Sequence, residues 1–256
     1  MRVMIDSPWI VYAKRNPGAS RRLFCFPYAG AAAYVFNNWS KFLPNDMEVC
    51  AIQLPGRGKR LREPMYTRMS TLCEALYPAV KPLLDKPFVF FGHSMGAVIS
   101  FELARLLRRE RQPLPSHLFV SGRRAAQVRE DEPRIYDLPE AEFIAELIRL
   151  NGTPREVLEH HELLELMLPL LRADFELIHT YEYSPEPPFA FPITAFGGLE
   201  DLEVSSEQLA AWREQTTSQF RLHMLPGDHF FIHRAQDSVL RIINQDISTM
   251  QPFRSQ

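Results

Sequence analysis

Phe88-Val89-Phe90-Phe91 runs straight into Gly92-His93-Ser94-Met95-Gly96 and then into Ala97-Val98-Ile99-Ser100-Phe101, and no other stretch restricts the fold as much. Four consecutive apolar residues predict a strand covered on both faces, the situation of a parallel sheet packed between helices. The residues after Gly96 place apolar side chains at helical spacing. Between the two, glycines flank a serine, the pattern of a sharp strand-to-helix turn whose neighbouring backbones leave no room for β-carbons. Such a turn presents the serine hydroxyl at the carboxyl end of a central strand.

The rest of the chain keeps the same rhythm. β-rich runs at 23–26, 49–53, 117–121, 193–196 and 220–225 alternate with helical patterns at 69–84, 97–109, 206–214 and 238–249. Strands alternating with helices imply a mostly parallel sheet joined by right-handed crossovers. Residues 125–191 break the rhythm with amphipathic patterns at 140–150, 154–159 and 162–181, the last expected to bend at Pro169. Pro185-Glu186-Pro187-Pro188 then reads as a stiff connector back to the sheet. The expected organisation is an α/β-hydrolase core over 1–124 and 192–256, with 125–191 inserted as a helical lid at the carboxyl edge of the sheet, where open α/β sheets bind ligands.

Charge and cysteine usage narrow the class further. The 256 residues carry 29 basic and 31 acidic side chains, a net charge of -2, which gives no field for nucleic acid or an anionic membrane. Trp9-Ile10-Val11-Tyr12 is too short for a signal-peptide core or a bilayer span, so the expectation is a soluble cytoplasmic protein, by default a monomer. Cys25, Cys50 and Cys73 are widely separated and read as buried free thiols. His229 and His233 lack the further ligands of a metal site, so neither metal nor cofactor is expected.

A serine hydroxyl is a weak nucleophile until a base takes its proton. In this fold the partners follow in the order serine, acid, histidine. His229, in Pro226-Gly227-Asp228-His229-Phe230 after the last strand pattern, is the candidate base. His93 is too constrained inside the turn for that work, and His160, His161, His179 and His233 read as surface or lid residues. The acid follows Gly197-Gly198, where Glu200, Asp201 and Glu203 compete; Asp201 is the choice, with Glu200 left open because either carboxylate can orient an imidazole. Two N–H groups must receive the developing oxyanion: that of Met95, directly after the serine, and that of Ala29 in Phe26-Pro27-Tyr28-Ala29-Gly30-Ala31.

These motifs together resemble the stand-alone type II thioesterases that accompany non-ribosomal peptide and polyketide synthetases. The resemblance covers nearly the whole chain: Phe26-Pro27-Tyr28-Ala29-Gly30, Leu54-Pro55-Gly56-Arg57-Gly58, Gly92-His93-Ser94-Met95-Gly96, Ser121-Gly122-Arg123-Arg124 and Gly227-Asp228-His229-Phe230. The run Asn151-Gly152-Thr153-Pro154 and the run Leu170-Leu171-Arg172-Ala173-Asp174-Phe175 resemble that family's lid. It implies a serine thioesterase that hydrolyses acyl groups from the phosphopantetheine arm of acyl- or peptidyl-carrier proteins, clearing mis-primed or stalled chains. The chain departs from the family at Tyr28, where histidine is usual, and at Ala31, where a second glycine is common.

Tyr28, Met167 and Phe175 are the candidate substrate-binding residues. Leu163, Leu164, Leu168, Leu171 and Ile178 share the lid's apolar positions, most of them expected to pack on the core. Arg105, Arg108, Arg109 and Arg111 either steer an acidic carrier protein or form a solvated helix end, where cations are favoured. Arg57 is either structural or close to the substrate entrance. Two other functions remain open: a carboxylesterase or lipase using the same three residues on an oxygen ester, and a catalytically silent carrier-protein binding module. The intact Ser94, Asp201 and His229 argue against the silent module, and the family motifs favour the thioester.

Overall fold

The continuous apolar runs do form the middle of a parallel sheet. The computed structural model describes residues 7–129, 134–152 and 155–248. Thr153 and Pro154, where a lid helix was expected to begin, and Thr249, where the final helix was expected to end, lie outside the described residues. Among the described residues the sheet order is β1-β3-β2-β4-β5-β6-β7. The strands are β1 (Ile10–Val11), β2 (Arg21–Phe26), β3 (Met47–Ile52), β4 (Phe88–His93), β5 (Leu118–Ser121), β6 (Ile193–Gly198) and β7 (Phe220–Leu225). All neighbours are parallel except β1, which pairs antiparallel with β3 through Ile10 to Ile52 and Val11 to Ala51. This edge strand is absent from the sequence reading. It is two residues long, so its strand character comes from its partner.

Side chains alternate across the sheet with period two. Phe24, Phe26, Phe88 and Phe90 face a layer that includes α1 (Met69–Val80) and α2 (Met95–Arg109), while Leu23, Cys25, Val89 and Phe91 face α8 (Gln236–Ser248) through Val239, Leu240 and Ile243. Both faces of β4 are therefore covered, as its unbroken apolar run required. All three thiols are buried and unpaired.

Two helices end earlier than their apolar spacing predicted. The run 69–84 is α-helical only to Val80 and tightens into a 3-10 turn over Lys81–Leu83, which contains Pro82. The run 206–214 is α6 (Ser206–Ala210) followed by a 3-10 turn, Ala211–Gln215. It starts at Ser206 as expected, and the cap is the residue before: the Ser205 hydroxyl accepts the Gln208 N–H and the Gln208 side chain accepts the Ser205 N–H. α7 (Phe231–Arg234) is one short turn that the reading missed.

Between β5 and β6 lie α3 (Glu140–Arg149), α4 (Arg155–Glu159) and α5 (His161–His179), and α5 continues through Pro169 as a single helix. Phe143, Leu147, Leu164 and Leu168 form a small apolar cluster of this segment's own. Its return to the sheet is clamped by α2. Glu186 receives Arg105 at 3.0 Å, Arg108 at 2.6 Å and Arg109 at 2.8 Å, and Arg105 and Arg108 also donate to the carbonyls of Ser184 and Pro187. Three of the four arginines left open between carrier steering and a solvated helix end are thus paired internally with the connector.

The turn after β4 depends on the absence of two β-carbons. A Cβ on Gly96 would stand 2.1 Å from the carbonyl oxygen of Phe26, and one on Gly92 would stand 2.1 Å from that of Gly96. Neither backbone can yield without moving β2 or α2. Gly96→Ala is accordingly expected to destabilise the fold by about 3 kcal/mol, the upper range for overpacking. Urea unfolding that leaves the midpoint unchanged would show that the strand and helix are not in this close contact.

Candidate active site

Ser94 sits at the tip of this turn with φ 52° and ψ -115°, a left-handed conformation that a serine adopts only under constraint. Its N–H donates to the Ser121 carbonyl at 2.7 Å, which holds the turn against β5. α2 starts at Met95, so the Met95 N–H belongs to a first helical turn whose donors have no intrahelical acceptor. That is where a helix receives negative charge best.

His229 lies in the loop between β7 and α7, and Asp201 in the loop after β6. Nδ1 of His229 is 2.9 Å from Oδ2 of Asp201, with the aspartate side chain fully buried and the imidazole 15% exposed. An ionised carboxylate only accepts, so Nδ1 carries the proton and Nε2 is left as the basic nitrogen. The other oxygen of Asp201 accepts the N–H of Glu203 at 2.9 Å and that of Val204 at 3.3 Å, which fixes the carboxylate. Glu200 faces elsewhere and accepts the Gly227 N–H. Glu203 pairs with Arg149 at 2.8 Å. Of the three acids after β6, Asp201 is the one placed on the histidine.

Ser94 and His229 share the wall of a cavity of about 300 Å³ with Tyr28, Ala29, Met167 and Phe175. The same cavity takes Leu171 and Ile178 from α5. Leu164 and Leu168 pack into the helical cluster instead, and Leu163 is exposed. The sequence reading missed a charged part of the wall, where Arg149 bridges Glu146 and Glu203, each at 2.8 Å. Glu146 and Arg149 are three apart on one helix, a spacing that pairs charges on any solvated face and therefore carries no signal of its own.

Tyr28 spans the cavity wall, its hydroxyl 2.9 Å from Nε2 of His233. Burial pushes the phenol up to about 12, helped by the neighbouring Tyr34, so the hydroxyl remains a donor. Burial also lowers His233, against a raising effect of Asp228, which favours the neutral imidazole that can accept. His233 is exposed, in keeping with the surface position expected from the sequence, and its ring is bonded to Tyr28 of the cavity wall. His93 lies fully buried with Nδ1 2.9 Å from Ser121 Oγ. Burial, then the charges of His229 and His233, push it well below the usual range and keep it neutral. Among the described residues, no group of three or more histidine, cysteine or acidic side chains is arranged to hold a metal ion, and no helix is long and apolar enough to cross a membrane.

A strained serine between a central strand and a helix shares a cavity with a histidine held by a buried aspartate, on a doubly covered parallel sheet. Residues 21–247 match the family model of the thioesterase domain. The chain is 47% identical to the gramicidin S biosynthesis protein GrsT of Aneurinibacillus migulanus over 235 residues, 92% of each protein. It is 44% identical over 250 residues to a Brevibacillus parabrevis protein named linear gramicidin dehydrogenase LgrE, covering 96% of this chain and 94% of that one. It superposes on the type II thioesterase BorB from the borrelidin biosynthetic cluster with a TM-score of 0.86 and 32% identity, covering 94% of this chain and 98% of BorB. The chain belongs to the thioesterase family, hydrolases of thioesters, and its likeness extends over whole stand-alone members associated with peptide and polyketide biosynthesis. The α/β-hydrolase fold and the family expected from the motifs are both borne out.

Proposed function

We propose that Ser94, His229 and Asp201 act together to hydrolyse acyl thioesters delivered on the phosphopantetheine arm of carrier proteins, removing mis-primed or stalled acyl groups from non-ribosomal peptide or polyketide assembly. The observation that carries this reading is the Asp201–His229 contact beside a cavity that also holds Ser94, in a chain of thioesterase ancestry. Ser94 Oγ attacks the thioester carbonyl while Nε2 of His229 takes its proton. The N–H groups of Met95 and Ala29 receive the oxyanion. Collapse breaks the carbon–sulfur bond, and the thiolate leaves with the proton from His229. Water, deprotonated by the same nitrogen, then attacks the acyl-serine and releases a carboxylic acid and free Ser94. Asp201 holds the tautomer and stabilises the imidazolium.

Residues 125–191 serve as the lid, with Met167 and Phe175 of α5 and Tyr28 of the core forming the acyl wall. The protein acts in the cytoplasm as a monomer, with the carrier protein as its partner and no metal or cofactor. The test loads a carrier protein with acetyl and longer acyl groups and offers the enzyme p-nitrophenyl acetate in parallel. Release of free carrier thiol well above the rate without enzyme is the expected outcome. Carrier thioesters left intact beside rapid cleavage of the oxygen ester would sink the thioester reading in favour of a carboxylesterase.

A further inference from the structure

Two motif residues have no task in this mechanism: Arg57, in Leu54-Pro55-Gly56-Arg57-Gly58 after β3, and Asp174, in Leu170-Leu171-Arg172-Ala173-Asp174-Phe175 on α5. The fold joins them. Arg57 reaches both oxygens of Asp174, Nη2 to Oδ1 at 2.7 Å and Nη1 to Oδ2 at 2.8 Å, and both side chains are buried. The same Oδ2 accepts the N–H of Gly30 at 2.7 Å, and Arg57 Nη1 also donates to the Ala31 carbonyl at 3.0 Å. Gln53, whose Nε2 donates to the Arg57 carbonyl at 3.0 Å, accepts the N–H of Ala33 at 3.1 Å.

The loop carrying Ala29 is therefore gripped at residues 30, 31 and 33 by polar side chains. One of these, Asp174, belongs to the helix that walls the cavity with Leu171, Phe175 and Ile178. A buried ion pair is weak evidence for stability, because apolar residues of similar size serve as well. Its value here lies in what its spare bonding capacity holds. With the Gly30 N–H taken by Asp174, the neighbouring N–H is that of Ala29, a residue that lines the cavity.

The geometry points to Arg57 and Asp174 as positioning residues that make the direction of the Ala29 N–H depend on how α5 is seated. The inference rests on the reading above, in which that N–H receives the oxyanion. An acyl group filling the cavity presses on the helix that fixes the donor, so occupancy of the pocket and completion of the oxyanion hole are mechanically linked.

The test replaces both members, Arg57→Met with Asp174→Leu, so that no charge is left buried alone. The melting temperature is expected to stay within a few degrees of wild type while kcat falls about 10- to 100-fold and KM changes less than about twofold, the signature of a misplaced transition-state contact. The assay uses an acyl-carrier thioester and p-nitrophenyl acetate side by side. A wild type inert toward thioesters would then remove the function reading, leaving the ester to decide this one. A folded double variant with kcat within about twofold of wild type on the substrates that wild type hydrolyses overturns the coupling. Should the double variant not fold, hydrogen exchange on wild type decides: the Gly30 amide should exchange in step with the interior amides of α5. Exchange at Gly30 tenfold or more faster than in α5 means the bond is not a standing one, and the proposal fails.

Discussion

Ser94→Ala is expected to lower kcat for acyl-carrier hydrolysis by about a millionfold, the scale of loss when a serine nucleophile is deleted from a set that acts as a unit. The substitution removes one oxygen and leaves the rest of the turn. The Ser94 N–H still donates to Ser121, Gly92 and Gly96 still let the strand and helix touch, and the cavity gains only a small void. Stability and carrier binding are therefore expected to change little, and the loss should fall on kcat with KM nearly constant. What survives should exceed the uncatalysed rate by about a thousandfold, because the proposed oxyanion donors, the N–H groups of Met95 and Ala29, would still stabilise attack by water. Single-turnover hydrolysis with mass detection of the acyl-serine intermediate checks both halves: wild type accumulates or passes through it, and the variant never forms it. A variant retaining a tenth of wild-type kcat would remove Ser94 from the nucleophile's role.

The turn that supports this prediction was legible in the sequence because everything that builds it is local. An apolar run, two glycines and a helical pattern follow one another within 20 residues, and each constrains the next. The same holds for β4, β5 and β6, which are buried at every position, whereas the edge strand β7 is half-buried up to Leu225 and was legible from its alternation of Phe220, Leu222 and Met224 with Arg221 and His223. Features that depend on distant partners were not legible. β1 is a strand only because Ile52 and Ala51 pair with it. Arg57 and Asp174 are 117 positions apart, and each looked like a minor element of its own motif. An aspartate on the apolar face of α5, between Leu171 and Ile178, was nonetheless a usable signal, since a buried carboxylate demands a partner. Arg105, Arg108 and Arg109 read ambiguously for a related reason: only the return of the chain at Glu186 decides where their charge goes.

The choice among Glu200, Asp201 and Glu203 is the sharpest case, and it leads to the second large effect. Three acids within four residues have the same chemistry, and composition cannot rank them. Loop geometry does, by turning Asp201 onto His229 while Glu200 takes the Gly227 N–H and Glu203 takes Arg149. Asp201→Asn is expected to lower kcat about ten-thousandfold with little change in stability. The amide oxygen can keep the bonds from the Glu203 and Val204 N–H groups, so the loop stays in place. Its NH2 then faces Nδ1 of His229 and donates to it, which drives the ring proton to Nε2, the atom that must be bare to accept from Ser94. Glu200→Gln keeps an oxygen for the Gly227 N–H and should leave kcat within about threefold of wild type. Steady-state kinetics on an acyl-carrier thioester, with melting curves to show that both variants are folded, separates the two. Near-normal turnover in Asp201→Asn together with collapse in Glu200→Gln would transfer the acid's role to Glu200, and with it the requirement that the loop after β6 rearrange when substrate binds.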